Sequence, residues 1–178
     1  MSAALETGGR SDAYLDLYID GLKNAHALEK QATQLLSRQL ERIENYPEVE
    51  ALLRRHLEET HQQIGRLDEI LGSFGEEHST IKDIATSITG NLAAIGHTVM
   101  SDEILKNHFA NHAFENFEIA SYMSLIAMAE TSGRSGNVGA LETSLGEERR
   151  TAQAIHDMTP DLTRKFMQRS AAGQKADR

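Results

Sequence analysis

Five glutamates lie on or beside the apolar faces of amphipathic segments, where a charged side chain is costly to bury. They are Glu29, Glu59, Glu115, Glu118 and Glu148. Glu148 lies between Leu145 and Ala152 at helical spacing, and Glu115 and Glu118 are one helical turn apart. Side chains of this type, placed inward from several helices, are the ligands of carboxylate-bridged metal centres.

Converging carboxylates in the dry core of a bundle repel one another, and each costs several kcal/mol unless a partner compensates its charge. Two divalent cations match four carboxylates in charge, as in di-iron and di-manganese bundles. The pattern therefore predicts a dinuclear metal site, with iron first and manganese or zinc as alternatives. The other hypothesis is a metal-free interaction or structural protein, in which the carboxylates pair with Arg66, Arg149 or histidines.

The usual Glu-x-x-His motif of such bundles is missing, because Gln62 follows Glu59 at that spacing and Thr151 follows Glu148. Instead, a histidine precedes a glutamate by three residues in three segments. A preceding side chain leans toward the helix N-terminus and so lies in another layer, which favours a role in orienting carboxylates over direct ligation. The predicted supporting residues are His26, His56, Gln62, Gln63, His112 and Tyr122. For Tyr122 the alternative is a buried ring with a satisfied hydroxyl group.

Hydrophobic periodicity predicts the four long helices that would position these side chains. Their predicted extents are 11–44, 47–74, 101–132 and 137–158. Pro47 suits the first turn of the second helix, and Pro160 is expected to stop the fourth. The segment 79–100 is weaker and predicts one or two shorter crossover helices. The fold class predicted is an all-α, ferritin-like four-helix bundle with one long crossover containing short helices.

The domain organisation predicted is a flexible N-terminus over 1–10, one bundle over 11–160 and a polar, partly disordered tail over 161–178. The chain has 18 basic and 27 acidic residues, and this net charge of −9 argues against binding nucleic acid or an anionic membrane. The absence of cysteine excludes disulfide scaffolds, iron–sulfur clusters and cysteine nucleophiles. No secretory leader and no apolar run of about 18 residues is visible, so a cytoplasmic location without a membrane partner is expected.

Several segments resemble the bacterial ferritin-like proteins of the YciE/YciF type. They are 21–31 (GLKNAHALEKQ), 56–67 (HLEETHQQIGRL), 102–107 (DEILKN), 114–122 (FENFEIASY) and 145–148 (LGEE). The resemblance covers residues 12–158 and implies a rubrerythrin-like four-helix bundle, usually dimeric, with a di-iron site and an association with stress response. Its ligands would be Glu29, Glu59, Glu118 and Glu148, with Glu115 as their companion.

This chain departs from that family pattern at two places. Some relatives have histidine near position 63 and aspartate near position 152 or 153, where this chain has Gln63, Ala152 and Gln153. The site would then be poorer in strong ligands. The resemblance implies no settled catalytic activity; an enzyme of this type would be a di-iron or di-manganese oxidoreductase acting on oxygen or peroxide. Iron storage is a third hypothesis, and it requires a closed shell rather than a homodimer.

Overall fold

The structure is a computed structural model that describes residues 2–75 and 101–178 and, within them, the side chains from residue 12 onward. Four long helices account for most of the described residues, and a short 3-10 turn, Ser135–Asn137, joins the last two. The helices are α1 (Ser2–Arg42), α2 (Pro47–Gly72), α3 (Glu103–Thr131) and α4 (Val138–Ala171). No strand occurs in this part of the chain. None of its helices has an apolar stretch of the length that crossing a bilayer requires.

The helices form a four-helix bundle in which α1 and α4 each pack against both α2 and α3. Arg42, the last residue of α1, bonds Glu103, the first residue of α3, through Nε to Oε1 at 2.8 Å and Nη2 to Oε2 at 2.7 Å. Since α2 begins at this same end, α2 and α3 start together, so the end of α2 and the start of α3 lie at opposite ends of the bundle. An order of helices that needs one long connection at this point is typical of ferritin-like folds. The predicted crossover helices in 79–100 lie outside the described residues.

The described part of the bundle contains a large apolar cluster toward each end and a small one between them, which consists of Leu28, Ala32 and Phe114. The first cluster includes Tyr18, Leu22, Leu67, Leu71, Tyr122, Leu125 and Leu141. The second cluster consists of Leu36, Tyr46, Val49, Leu53, Ile104 and Leu162. Along each helix the predicted acidic positions fall between the members of these clusters. Apolar layers thus lie on both sides of the acidic layer and keep its middle dry.

A close approach of α1 and α3 depends on Gly21. A Cβ atom at this position would lie 3.0 Å from Leu125 Cδ2 and 3.1 Å from Met128 Sδ, closer than side chains normally pack. The glycine therefore lets the two helices meet near the first apolar cluster, at the small cost of a glycine inside a helix.

The helix boundaries differ from prediction at both ends of the chain. The backbone of α1 is helical from Ser2, nine residues before the predicted cap at Ser11; flexibility of residues 1–10 stays a prediction. At the other end α4 does not stop at Pro160 but continues to Ala171. The reason is packing, because Leu162 is 1% exposed in the second apolar cluster. Burying a leucine stabilises by about 2–3 kcal/mol, which is comparable with the cost of about 3 kcal/mol for proline inside a helix.

The C-terminal residues pack back onto the bundle, in contrast to the partly disordered tail predicted for 161–178. The Ile104 N–H at the start of α3 donates to the Asp177 carbonyl at 2.8 Å. The Tyr46 hydroxyl donates to the Ala176 carbonyl at 2.6 Å, and Asn45 Nδ2 donates to the Arg178 carbonyl at 2.7 Å. Helix starts leave N–H groups without acceptors, and the Asp177 carbonyl satisfies one of those at the start of α3.

Replacing Tyr46 by phenylalanine is expected to lower the free energy of unfolding by about 1 kcal/mol, the usual net contribution of a buried hydrogen bond. Tyr46 is fully buried, so the Ala176 carbonyl would lose its donor without gaining water. Urea denaturation measures this change. Tyr14→Phe is the matched control because Tyr14 is exposed. Equal stability of the two variants would contradict this role of the hydroxyl group.

Candidate metal centre

One histidine and three glutamates meet in the acidic layer between the apolar clusters. These residues, here named the glutamate–histidine cluster, are His56 of α2, Glu115 and Glu118 of α3, and Glu148 of α4. Each offers one ligand atom, and these atoms all lie within 4.8 Å of one another. All four residues are at most 2% exposed. The structure thus brings together three of the five predicted glutamates and adds an imidazole.

His56 lies at the centre of this arrangement. Its Nε2 is 3.1 Å from Glu115 Oε1 and 3.8 Å from Glu148 Oε2, and its Nδ1 is 3.2 Å from the Thr151 hydroxyl oxygen. The sequence predicts a supporting role for this histidine because it lies in another layer than Glu59. His56 and Glu59 do lie in different layers of α2, as predicted. However, the glutamates of α3 and α4 meet in the layer of His56 and not in that of Glu59.

Glu29 lies beside the cluster on α1 and is 1% exposed. The Tyr122 hydroxyl of α3 donates to Glu29 Oε1 at 2.6 Å, and Glu29 Oε2 has no hydrogen-bond partner. The predicted proximity of Tyr122 to the acidic side chains is therefore observed. Its hydroxyl orients one oxygen of Glu29 and leaves the other available.

Glu59 is placed differently from the other predicted glutamates. Its side chain is 19% exposed, with Oε1 3.6 Å from Arg150 Nη2 and Oε2 3.9 Å from His56 Nδ1. It therefore lies at the edge of the site rather than among the four residues of the cluster. A basic neighbour compensates its charge from the outer side.

Three predicted supporting residues lie away from the cluster. His26 is buried, and its Nε2 is 2.9 Å from Asp68 Oδ1 on α2. Gln62 is exposed. His112 faces His156 across α3 and α4, with ring centroids 5.9 Å apart. Helical spacing places each of these side chains near a glutamate of its own helix, but the rotation of each helix in the bundle turns them elsewhere.

A hydrogen-bond network on α2 and α4 holds Glu148 in place. Gln63 Nε2 donates to Glu148 Oε1 and also to Glu147 Oε2, the latter at 3.1 Å. Arg66 binds Glu147 through two bonds of 2.7 Å and donates to the Ser144 hydroxyl at 2.9 Å. A bidentate pair of this kind fixes the carboxylate in one orientation. The predicted supporting residue Gln63 thus contacts Glu148 directly.

Glu147 and Thr151 also contact residues of this site, although the sequence analysis does not predict them as site residues. The available signal was a polar line, Ser144–Glu147–Thr151, which runs at helical spacing beside the apolar line of α4. Arg66 bonds Glu147 rather than any of the five predicted glutamates, so the metal-free hypothesis loses one of its proposed partners. Arg149, another proposed partner, is exposed.

Several buried oxygen atoms of the site have no hydrogen-bond partner. They are Glu29 Oε2, Gln63 Oε1, Glu115 Oε2, both carboxylate oxygens of Glu118, and Glu148 Oε2. An unpartnered polar atom in a dry interior costs about 1–3 kcal/mol, and more if it is charged. Oxygen and imidazole donors around a shared centre suit iron, manganese or zinc. The residues present therefore fit a metal ion.

Three of the buried glutamates hold protons more tightly than ordinary carboxyl groups do, because their pKa values are raised. Burial raises the pKa of Glu29 to about 7, although the Tyr122 hydrogen bond opposes the shift. Burial and the nearby Glu29 carboxylate raise the pKa of Glu118 well above its usual value, and burial likewise raises the pKa of Glu148. Burial would lower the pKa of His56, but its contacts with Glu115 and Glu59 outweigh this and raise it. In the absence of a cation, protons bound to His56, Glu118 and Glu148 reduce the negative charge of the cluster.

The chelator-treated protein is expected to lose stability as the pH rises from 6 to 9. The folded pKa values of Glu29, Glu148 and His56 lie above their unfolded values, so folding takes up protons, and the resulting stability is lost as the pH rises through the folded values. For each proton taken up on folding, the free energy of unfolding falls by about 1.4 kcal/mol per pH unit. Urea unfolding at fixed pH values measures the slope.

The double variant Glu118→Gln/Glu148→Gln is the control for this pH dependence. Removing two of the titrating groups should flatten the slope over the same range. A stability that rises between pH 6 and 9 in the unsubstituted protein would contradict the assignment of bound protons to this layer.

The chain matches the model of the family described as a domain of unknown function, DUF892, over residues 14–168. It is 30% identical over 151 residues to Protein YciF of Escherichia coli strain K12, a match that covers 80% of this chain and 88% of that protein. The crystal structure of the E. coli stress protein YciF superposes with a TM-score of 0.73 at 27% identity, covering 85% of this chain and 98% of that one.

A second solved structure, of a protein from Xanthomonas campestris pv. campestris, superposes with a TM-score of 0.72 at 25% identity. The match covers 89% of this chain and 99% of that chain. The resemblance that the sequence motifs predict is thereby confirmed, and so is the all-α bundle. The helical bundle, the matched segment and the similarity to YciF show that this chain belongs to the DUF892 family.

Proposed function

We propose that the protein binds a pair of divalent transition-metal ions, iron or manganese first and zinc as an alternative, in the layer formed by the glutamate–histidine cluster and Glu29. The observation that carries this proposal is the set of buried carboxylate oxygens without hydrogen-bond partners. Cations would compensate these groups, whereas the nearby arginines are engaged elsewhere: Arg66 by Glu147, and Arg150 at the edge by Glu59. Within the cluster, only His56 pairs with glutamate, most closely with Glu115.

Different residues of the chain would bind such ions and orient the ligands. His56, Glu115, Glu118 and Glu148 supply the donor atoms that lie closest together. Gln63 fixes one oxygen of Glu148, and Tyr122 fixes one oxygen of Glu29. The apolar clusters above and below exclude water and strengthen the electrostatic interactions inside. A bound iron or manganese pair would supply one-electron redox chemistry toward oxygen or peroxide, a function in stress response that agrees with the name of the relative YciF as a stress protein.

The metal content after anaerobic loading tests this proposal. Chelator-treated protein is incubated with Fe(II), or separately with Mn(II), desalted and assayed by elemental analysis. We expect close to two ions per chain in the unsubstituted protein and a loss of at least one ion in the variant Glu29→Gln/Glu148→Gln. Glu142→Gln on α4 is the control because Glu142 is exposed. Equal metal content in all three proteins would overturn the proposal.

The second candidate function is a metal-free structural or interaction protein. The Tyr122–Glu29 hydrogen bond and the raised pKa of Glu118 favour it, because protonated carboxyl groups can be buried without a cation. Under this alternative, elemental analysis finds no metal after loading, and replacing Glu118 by leucine stabilises the protein, since apolar residues are often better tolerated in a core than charged ones.

A homodimer is also proposed, and the apolar side chains exposed along α1 and α3 support it. Tyr14, Leu17 and Phe117 are each more than two-fifths exposed on these helices. Sedimentation velocity should give twice the mass of one chain, and Leu17→Asp should shift the equilibrium toward the monomer. A dimer would also exclude iron storage in a closed shell. The cytoplasmic location stays a prediction.

A further inference from the structure

A second group of metal-ligating side chains lies on the surface, outside the acidic layer. His112 of α3 and His156 of α4 face each other with ring centroids 5.9 Å apart and ring planes inclined by 39°. They line a surface cavity of about 410 Å³ together with Asn116, Gln153 and other residues of the two helices. The two imidazoles come from different elements, so the packing of α3 on α4 fixes their separation.

The separation of the rings suits one ion held between them. Imidazole nitrogen binds zinc at about 2.0–2.1 Å, so two imidazoles on one tetrahedral ion have ring centroids about 5 Å apart. The observed separation of 5.9 Å is within about 1 Å of this value. Stacked rings would be closer and more nearly parallel. Rotation about the side-chain torsion angles would bring one nitrogen of each ring to a shared ion.

The surroundings of the pair leave its ring nitrogens available. Asn116 Nδ2 donates to the main-chain carbonyl of His112 at 2.7 Å rather than to its ring. Gln153 Nε2 donates to Asp157 Oδ1 at 2.8 Å, so this amide group does not bond a ring nitrogen of either histidine. Asp157 is the next residue after His156 and adds a negative charge near the site.

Arg149 also lines the cavity, and its positive charge would disfavour a cation there. Its side chain is exposed, so it can extend into solvent, where salt screens its charge. The net charge of −9 favours the approach of cations in general.

We propose that His112 and His156 form a surface site for one divalent transition-metal ion of the class that prefers imidazole, with water completing its coordination. Nickel, copper and zinc belong to this class, whereas magnesium and calcium, which prefer oxygen ligands, do not. Two ligands and an open water side make this an exchangeable site, distinct from the buried one. This inference stands on the two imidazoles and does not depend on metal binding in the acidic layer.

Titration calorimetry with NiCl₂ tests the site in untagged, full-length protein that carries Glu118→Gln and Glu148→Gln, so that the acidic layer does not compete. We expect one Ni²⁺ per chain. Either His112→Ala or His156→Ala should weaken its binding at least about tenfold, because the second ligand acts at a high effective concentration. His61→Ala is the control, since His61 is an exposed histidine of α2.

Electron paramagnetic resonance of bound Cu²⁺ provides a second measurement. The parent protein should show splitting from two nitrogen ligands, and each single variant should show splitting from one. Nickel binding that survives both substitutions, or copper spectra without two nitrogens in the parent protein, would overturn the proposal. Circular dichroism confirms that the surface variants fold. Failure of metal binding in the acidic layer would leave these results unchanged, so the two proposals fail separately.

Discussion

Mn(II), or Fe(II) without oxygen, is expected to raise the midpoint of thermal unfolding of the chelator-treated protein by about 5–10 °C. An ion present at about 100 times its dissociation constant stabilises the folded state by about 2.7 kcal/mol, and each kcal/mol shifts the midpoint of a protein of this size by about 2–4 °C. The physical reason is that the cation takes the place of the protons that neutralise the acidic layer. Differential scanning calorimetry with and without the ion measures the shift.

Glu118→Gln is expected to remove most of this shift. Glu118 is 1% exposed and both of its oxygens lack partners, so the substitution takes a charged ligand from the centre while keeping the side chain's shape. Glu130→Gln on the same helix is the matched control, because Glu130 is exposed. A metal-induced shift of the same size in both variants would show that the ion binds somewhere else.

Replacing Arg66 by alanine is expected to lower the free energy of unfolding by about 3 kcal/mol, because it leaves the Glu147 carboxylate buried without a counter-charge. Arg66 makes two bonds of 2.7 Å to Glu147 and a third bond to Ser144. Its side chain is 20% exposed and that of Glu147 is 8% exposed, so water compensates little of the loss. Urea denaturation at neutral pH measures the change.

Arg54→Ala provides the comparison for this second experiment. Arg54 lies on the same helix and pairs with Glu50 at 2.7 Å, but its side chain is 63% exposed. Exposed pairs of this kind contribute less than about 1 kcal/mol. Similar losses in the two variants would contradict the claim that Glu147 depends on Arg66. A loss of metal binding in Arg66→Ala without a loss of stability would instead indicate that the network acts on Glu148 alone.

The presence and approximate extent of the helices could be predicted from the sequence, because apolar residues recur at helical spacing over long segments. The observed α2 and α3 agree with the predicted extents within about two residues. The fourth helix is longer than predicted. The rule that proline stops a helix considers only the free-energy cost of proline in the local helix, whereas burying Leu162 stabilises the longer helix. The packed C-terminal residues were missed for a similar reason: polar composition does not show which backbone groups will find partners.

The acidic layer itself could be predicted, but its membership could not. Helical spacing indicates that Glu29, Glu115, Glu118 and Glu148 lie inward, and the structure buries all of them. Spacing within α2 does not reveal whether His56 or Glu59 points to the centre, because the two lie one turn apart on nearly the same face. The rotation of α2 and its position along the bundle axis place His56, and not Glu59, beside the glutamates of the other helices.

The sequence by itself determined that this chain is a helical bundle with acidic side chains turned toward its interior, because period and residue type are properties of each helix alone. Tertiary structure decided which carboxylates share one dry layer, which of them is held by an arginine or tyrosine, and which histidines meet on the surface. These are relations between helices, and they depend on how the four helices are rotated and aligned when their apolar faces pack.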